Sequence, residues 1–259
     1  MKAIIKITIT TASIYILFGF FLMMAQESMP YFPSEQDFHN CPGFQDYEKA
    51  EHRGTRFYLK NISDEKVIIY YHGNAGSACD RSFTKKVFEK SGSSIIYVEY
   101  AGYSNDDKKP SKELIFRDVE NIIDHVEKTG YKKTVVYGQS IGSGPASHHT
   151  NIKKADSLVL VSPFSKLKDI AKSRYPIYPG FIFFKENYDN IEMLKDYEGK
   201  TLIIHGENDD IIKPKYSKKL YNSIKNNNKE YILLEDRSHN DLWNSKKFRK
   251  KIEKSIAED

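Results

Sequence analysis

Cysteine and tryptophan are scarce in this chain, with two Cys and one Trp in 259 residues. Cys41 and Cys79 have no Cys-x-x-Cys partner and no Cys/His ligand spacing around them, which excludes a zinc site and a disulfide-built scaffold but leaves one disulfide open. A charge excess of one sign is also lacking. Lys and Arg number 40 against 35 Asp and Glu, a formal +5, and the basic residues are interleaved with acidic ones until the last helix. A nucleic-acid binder held mainly by charge would show a one-sided excess, so nucleic acid is not an expected partner. There is no internal repeat and no low-complexity tract. What is present, 39% hydrophobic residues and 13% aromatics, suffices for one large folded domain.

Long apolar runs are confined to one. From Ile7 to Ala25 no residue is charged, with Lys2 and Lys6 before it and Gln26 and Glu27 after it. At ~1.5 Å per residue it spans roughly 28 Å, close to the hydrocarbon thickness of a bilayer. It reads as a membrane anchor over residues 7–25. Its denser part, Ile14 to Ala25, resembles a signal-peptide core equally well, although cleavage after Ala25 would put Met23 where a small residue is preferred. A buried helix is a third reading. In the first two, the lysines hold the N-terminus in the cytoplasm and the remainder is exported, either anchored, or secreted or periplasmic after cleavage. The chain then divides into residues 1–27 as signal anchor or signal peptide, 28–54 as a connector packing on the domain, and 55–259 as the domain itself.

Within that domain short β-branched runs recur at Arg56 to Leu59, Val67 to Tyr71, Ser94 to Val98, Thr134 to Tyr137, Leu158 to Val161, Thr201 to Ile204 and Tyr231 to Leu234. Helical stretches lie between most of them: Arg81 to Lys90, Lys112 to Lys128, Gly144 to Lys153, Lys213 to Ile224 and Asp241 to Ile256. Phe116, Val119, Ile122, Ile123 and Val126 keep helical spacing. This alternation predicts an α/β fold around a buried parallel sheet.

The chemistry gathers where predicted strands end. Thr134 to Tyr137 runs into Gly138-Gln139-Ser140-Ile141-Gly142 and then a helix. Such a turn lifts a serine above the sheet with a strained backbone, and side chains two positions before and after it would clash. A serine hydroxyl needs a base to take its proton and a carboxylate to orient that base. His205-Gly206-Glu207-Asn208-Asp209-Asp210 follows one later strand, and Glu235-Asp236-Arg237-Ser238-His239 follows another. The order serine, acid, histidine at three strand ends selects Ser140 and His239, with carboxylates at Glu207, Asp209 and Asp210 to choose from. Tyr71-His72-Gly73-Asn74-Ala75-Gly76 also ends a strand. Its small residues would let an amide at Asn74 or Ala75, together with that of Ile141, approach a developing oxyanion. His72 is read as holding that loop by a hydrogen bond, not as a ligand. No metal site and no cofactor are expected.

Gly138-Gln139-Ser140-Ile141-Gly142-Ser143-Gly144-Pro145-Ala146, His72-Gly73-Asn74-Ala75-Gly76, His205-Gly206-x-x-Asp209 and Ser238-His239-Asn240-Asp241-Leu242 together resemble the α/β-hydrolase superfamily. The likeness is greatest to small serine hydrolases with one N-terminal membrane anchor, the α/β-hydrolase domain-containing group that includes protein depalmitoylases. The resemblance implies a mainly parallel eight-stranded sheet with helices on both faces, a short lid, and a Ser140, Asp209, His239 triad. Asp209 is chosen because the family's acid stands three residues after the Gly of His-Gly. Where the family commonly has Tyr-Arg-Gly-Tyr, this chain has Tyr100-Ala101-Gly102-Tyr103, so depalmitoylase specificity is not carried over.

Other signals have plainer readings. His148 and His149 are neighbours on a helix and cannot both face one metal; Gly142-x-Gly144 lacks the third glycine of a dinucleotide loop, having Ser147 instead. Lys246, Lys247, Arg249, Lys250, Lys251 and Lys254 suit a solvated helix end or contact with anionic lipid. Between Ser162 and Lys200, where this fold carries its lid, Ser165 to Ser173 suits one short helix. Tyr175, Tyr178, Phe181, Phe183 and Phe184 cluster there with Pro176 and Pro179, to pack in the core, line an acyl site or dip into a membrane. The expected function is ester or thioester cleavage through an acyl-enzyme, on a small-molecule, acyl or lipid substrate near a membrane. A serine peptidase and a non-catalytic membrane-tethered module are the alternatives.

Overall fold

The β-branched runs pair into one sheet in the computed structural model, which describes residues 1–25, 30–178 and 185–258. The strands are β1 (Glu48–His52), β2 (Thr55–Lys60), β3 (Lys66–Tyr71), β4 (Ser94–Glu99), β5 (Lys133–Gln139), β6 (Ser157–Val161), β7 (Lys200–Gly206) and β8 (Lys229–Leu234). Their spatial order is β1-β2-β4-β3-β5-β6-β7-β8. β1 and β2 are antiparallel to their neighbours, and the pairs from β4–β3 to β7–β8 are parallel. The helices between them are α2 (Lys85–Glu89), α3 (Lys112–Thr129), α4 (Ser143–Ile152), α5 (Leu167–Arg174), α6 (Asn190–Met193), α7 (Pro214–Ser223) and α8 (Lys246–Ala257), preceded by the N-terminal α1 (Lys2–Ala25).

Strand alternation sorts the core into two layers. Val67, Ile69 and Tyr71 pack with Val119 of α3, Ala146 of α4 and Leu220 of α7, while Ile68 and Tyr70 pack with Phe88 of α2 and Phe248, Ile252 and Ile256 of α8. Helices therefore cover both faces, which is why strands such as β4 and β6 are buried throughout. On the second face Tyr97, Tyr70 and Tyr137 stand opposite one another on β4, β3 and β5, with stacked rings 4.7 and 4.5 Å apart. Each such pair contributes about 0.5–1.5 kcal/mol beyond its buried area.

α3 starts where Ser111 Oγ accepts a hydrogen bond from the Leu114 amide, and it stops at Gly130 with φ 84°. Val119, Ile122, Ile123 and Val126 are buried as their spacing predicts, whereas Phe116 is half-buried and stacks on His148. Two boundaries differ from the pattern reading. Arg81 to Lys90 divides into a 3-10 turn, Cys79–Thr84, and α2. The last helix is preceded by a separate 3-10 turn, Leu242–Asn244, because Ser245 Oγ accepts from the Phe248 amide and caps α8 there.

The sheet begins at Glu48, inside the segment read as a connector. Ahead of it, Phe38, Phe44 and Tyr47 are buried around Tyr58 and Tyr97. Cys41 and Cys79 are joined by a disulfide, Cα–Cα 5.7 Å, tying this wrap to the turn before α2. α1 is exposed along almost its whole length and is long and apolar enough to cross a membrane, which makes it a candidate membrane anchor. Gln26 and Glu27 at the end of the signal-anchor segment, Ser28 and Met29 at the start of the connector, and Pro179, Phe181, Phe183 and Phe184 of the aromatic cluster lie outside the described residues.

Candidate active site

β5 ends at Gln139 and the chain turns at once into α4, with Ser140 at φ 55°. A non-glycine residue in this region is strained, and the surroundings hold it there. The glycines on either side make the turn possible. A Cβ on Gly138 would lie 2.5 Å from the Gly142 carbonyl oxygen and 2.6 Å from the Ala146 Cβ, and one on Gly142 would lie 2.3 Å from the Tyr71 carbonyl oxygen. Ser143 Oγ donates to the Ser140 carbonyl at 2.7 Å and accepts from Asn190 Nδ2 at 3.1 Å. Asn190 opens α6, so the segment between β6 and β7 buttresses the serine turn.

Ser140, Asp209 and His239 come together at the carboxyl ends of β5, β7 and β8, where open parallel sheets bind ligands. His239 Nε2 is 3.0 Å from Ser140 Oγ, and His239 Nδ1 is 2.6 Å from Asp209 Oδ2. The other Asp209 oxygen, Oδ1, accepts from the amides of Ile211 at 3.0 Å and Ile212 at 2.8 Å. Burial pushes the Asp209 carboxyl up, but hydrogen bonds from His205 and His239 and from the Ile212 amide outweigh it and hold it below the usual carboxylate range. An ionised carboxylate can only accept, so His239 carries its proton on Nδ1 and leaves Nε2 bare to accept from Ser140 Oγ–H. Asp210 and Glu207, the other carboxylates of the loop, are exposed.

His205, noted in the sequence only as part of a motif, sits beneath this arrangement. Its Nε2 is 3.0 Å from Asp209 Oδ2 and 2.7 Å from the Ile212 carbonyl oxygen. Both neighbours are acceptors, so this nitrogen is the donor.

The loop after β3 runs beside the serine turn. A Cβ on Gly73 would stand 3.5 Å from Ser140 Cβ and 3.4 Å from the Gln139 carbonyl oxygen. Asn74 has its side chain committed elsewhere: Oδ1 accepts from the Phe32 amide at 2.8 Å and Tyr103 O–H at 3.1 Å, and Nδ2 donates to the Pro30 carbonyl at 2.5 Å. Any part Asn74 has in holding an oxyanion therefore falls to its backbone amide. Arg81 Nη2 donates to the carbonyls of Asn74 and Ala75 at 3.0 and 2.9 Å, and Ala75 takes φ 57°. Ile141 follows Ser140 in the turn and is buried. His72 is fully buried, stacks on Tyr100 at 4.1 Å, and has Nδ1 2.7 Å from the Gly73 carbonyl and Nε2 3.5 Å from Glu99.

The Tyr100-Ala101-Gly102-Tyr103 loop is held from β2. Arg56 donates to the carbonyls of Tyr103 at 2.6 Å and Ser104 at 3.2 Å, and Asp118 Oδ2 accepts from the Ala101 amide at 2.7 Å. His149 Nδ1 meets Tyr71 O–H at 2.8 Å in the core, where burial lowers its pKa to about 3; His148, against Phe116, is lowered by burial to about 4. Among the described residues no group of three His, Cys, Asp or Glu is placed to hold a metal ion. In α8, Lys251 pairs with Glu230 at 2.6 Å and Lys254 with Glu258 at 3.5 Å.

An eight-stranded α/β sheet with a serine on a strained strand-to-helix turn and a His and Asp at later strand ends defines a class, the α/β-hydrolase serine hydrolases. Comparison with known proteins narrows it. Residues 98–240 match the family model described as serine hydrolase (FSH1), and the chain belongs to that family. It is 29% identical over 201 residues to the lysophosphatidylserine lipase ABHD12 of Xenopus tropicalis, covering 68% of this chain and 51% of that one. To protein ABHD12B of Homo sapiens it is 27% identical over 212 residues, covering 72% and 58%. The chain thus spans about half the length of the curated relatives it matches. Among solved structures, the Pyrococcus furiosus esterase Pf2001 superposes with a TM-score of 0.65 at 16% identity, covering 88% of this chain and 98% of that one. The Paleococcus ferrophilus monoacylglycerol lipase does so with 0.58 at 14%, covering 79% and 97%. At such identities these two likenesses speak for the fold alone.

Proposed function

We propose that this serine hydrolase cleaves a carboxylic ester or thioester of an acyl or lipid substrate at a membrane, with Ser140 as nucleophile, His239 as base and Asp209 as the acid that orients it. The observation carrying this reading is the unbroken relay from Ser140 Oγ through His239 to Asp209, with contacts of 3.0 and 2.6 Å. Ser140 Oγ attacks the carbonyl carbon while His239 Nε2 takes its proton, and ionised Asp209 stabilises the imidazolium. The oxyanion is held by the amide of Ile141 and that of Asn74 or Ala75. His239 then protonates the leaving group, and water, activated by the same histidine, releases the acid from the acyl-enzyme.

Three observations support a lipid substrate and an exported domain. The ABHD12 relatives are named as lysophosphatidylserine lipases, α1 is a candidate anchor, and the Cys41–Cys79 disulfide is at home in an oxidising compartment. In this arrangement Lys2 and Lys6 stay in the cytoplasm. Matched esters with acyl chains of two to sixteen carbons, the corresponding thioesters and aminoacyl amides test the proposal. Rising turnover with chain length is expected; a strict preference for acetyl would sink the long-chain version, and faster cleavage of the amides would make the enzyme a peptidase.

A further inference from the structure

The segment between β6 and β7 reaches the anchor helix. Tyr178 stacks on Tyr15 of α1 with ring centroids 4.7 Å apart and lies 5.3 Å from the Phe18 ring, and Tyr15 O–H donates to the Ile177 carbonyl at 2.7 Å. A Cβ on Gly19 would touch Tyr178 at 3.4 Å. These helix positions stand six to ten residues before Ala25, so at ~1.5 Å per residue Tyr178 lies about 9–15 Å inside the C-terminal end of α1 along its axis. If α1 crosses a bilayer, whatever packs at that depth is in hydrocarbon.

The side chains there match such surroundings. Ile177 is 69% exposed, more than any other large apolar residue beyond the end of α1 among the described residues, and Pro176 beside it is exposed too. α5, which leads to it, buries no residue and has Lys172 and Arg174 in its last turn, cations of the kind that suit lipid headgroups. Exposed Phe32 and Ile211 adjoin the catalytic residues, the first through its amide on Asn74 and the second through its amide on Asp209. Phe32 follows Ala25 by seven residues, a reach of at most about 25 Å, so the mouth of the site cannot be far from the end of α1.

We infer that Tyr175–Tyr178 is a bilayer-docking element that inserts beside α1 and turns the mouth of the Ser140 site toward the membrane, so that an acylated substrate reaches it from the lipid phase. The route for substrate rests on the esterase reading above; the insertion itself does not.

The test separates the two. With Cys41 and Cys79 both in the disulfide, Ile177→Cys in the full chain supplies one free thiol for an environment-sensitive fluorophore. Ile62→Cys, just ahead of β3 at the opposite edge of the sheet, is the reference. In phosphatidylcholine vesicles the label at position 177 should lose emission to lipids carrying a nitroxide on the acyl chain and be shielded from aqueous iodide, with the label at 62 showing the reverse. Equal iodide access at both positions would overturn the proposal whatever the enzyme hydrolyses. As a second variant, Ile177→Asp should raise the apparent KM for a vesicle-borne long-chain ester about tenfold or more, the worth of one exposed isoleucine transferred from water, with kcat/KM on a soluble short ester unchanged. An equal loss on both esters would also overturn it.

Discussion

Replacing Asp209 with asparagine should cost this enzyme far more than the same change at Asp210, and the reason lies in which atoms Asp209 faces. Its Oδ1 accepts from two amides, Ile211 and Ile212, which fixes the oxygen of an Asn side chain on that side. The NH2 group then falls where Oδ2 now receives His239 Nδ1–H at 2.6 Å and His205 Nε2–H at 3.0 Å. Donor meets donor at both contacts. His239 escapes by moving its proton to Nε2, but that nitrogen is the one 3.0 Å from Ser140 Oγ, and once protonated it cannot accept. A wrong tautomer with intact geometry costs about 10⁴ in kcat, close to 5.4 kcal/mol of transition-state stabilisation. Asp210→Asn changes an exposed carboxylate with no place in the relay, so kcat should stay within about twofold of the parent. The assay is steady-state hydrolysis of a soluble chromogenic ester by the parent and both variants, with circular dichroism confirming that each is folded. A folded Asp209→Asn enzyme within about tenfold of the parent, or a larger loss at Asp210→Asn, would remove Asp209 from the relay.

Three further outcomes follow from the packing. Gly142→Ala should leave no folded protein, or destabilise it by about 3 kcal/mol or more, because backbone carbonyls of Tyr71 and His72 occupy the new methyl's place at 2.3 and 2.5 Å; Gly92→Ala, with nothing within 4 Å, should cost about 1–2 kcal/mol of left-handed backbone strain alone, and urea midpoints compare the two. Cys41→Ser with Cys79→Ser should lower stability by about 4 kcal/mol in the chain-entropy account, since the disulfide closes a loop of 38 residues, and thermal melts under oxidising conditions read it. Asp118 is buried, and burial raises its pKa from 3.8 to about 6 despite hydrogen bonds from the Ala101 amide and Thr55. Between those values the unfolded chain has already released the proton that the folded one keeps. This group therefore opposes folding increasingly as pH rises from about 4 to about 6, by roughly 3 kcal/mol in all, and Asp118→Asn should flatten that part of the stability profile; an unchanged slope would place the titration elsewhere.

The fold and the chemistry were legible in different degrees. The central strands announced themselves through β-branched runs because burial on both faces leaves no room for polar alternation. β1 did not, since Glu48–His52 is a charged edge strand that exists through its antiparallel register with β2, Glu48 opposite Leu59. The places of Ser140 and His239 could be read because strand ends in a parallel sheet gather at one edge. In the sequence only a resemblance separates Asp209 from Asp210 and Glu207, because the physical distinction, burial and two amides on Oδ1, arises from the folded loop. His205 beneath Asp209, Arg56 holding the Tyr103 and Ser104 carbonyls, and Asn190 under Ser143 arise from residues far apart in sequence, and no spacing signals them. The Cys41–Cys79 pairing was open for the same reason, since proximity, not count, decides it.

Ser140 as the nucleophile is tested most directly by covalent labelling of the folded full chain with a fluorophosphonate probe, followed by mass spectrometry of the modified peptide. One adduct is expected, on Ser140, abolished in Ser140→Ala and strongly slowed in Asp209→Asn. Folded protein that takes up no probe, or takes it up equally after Ser140→Ala, would contradict it.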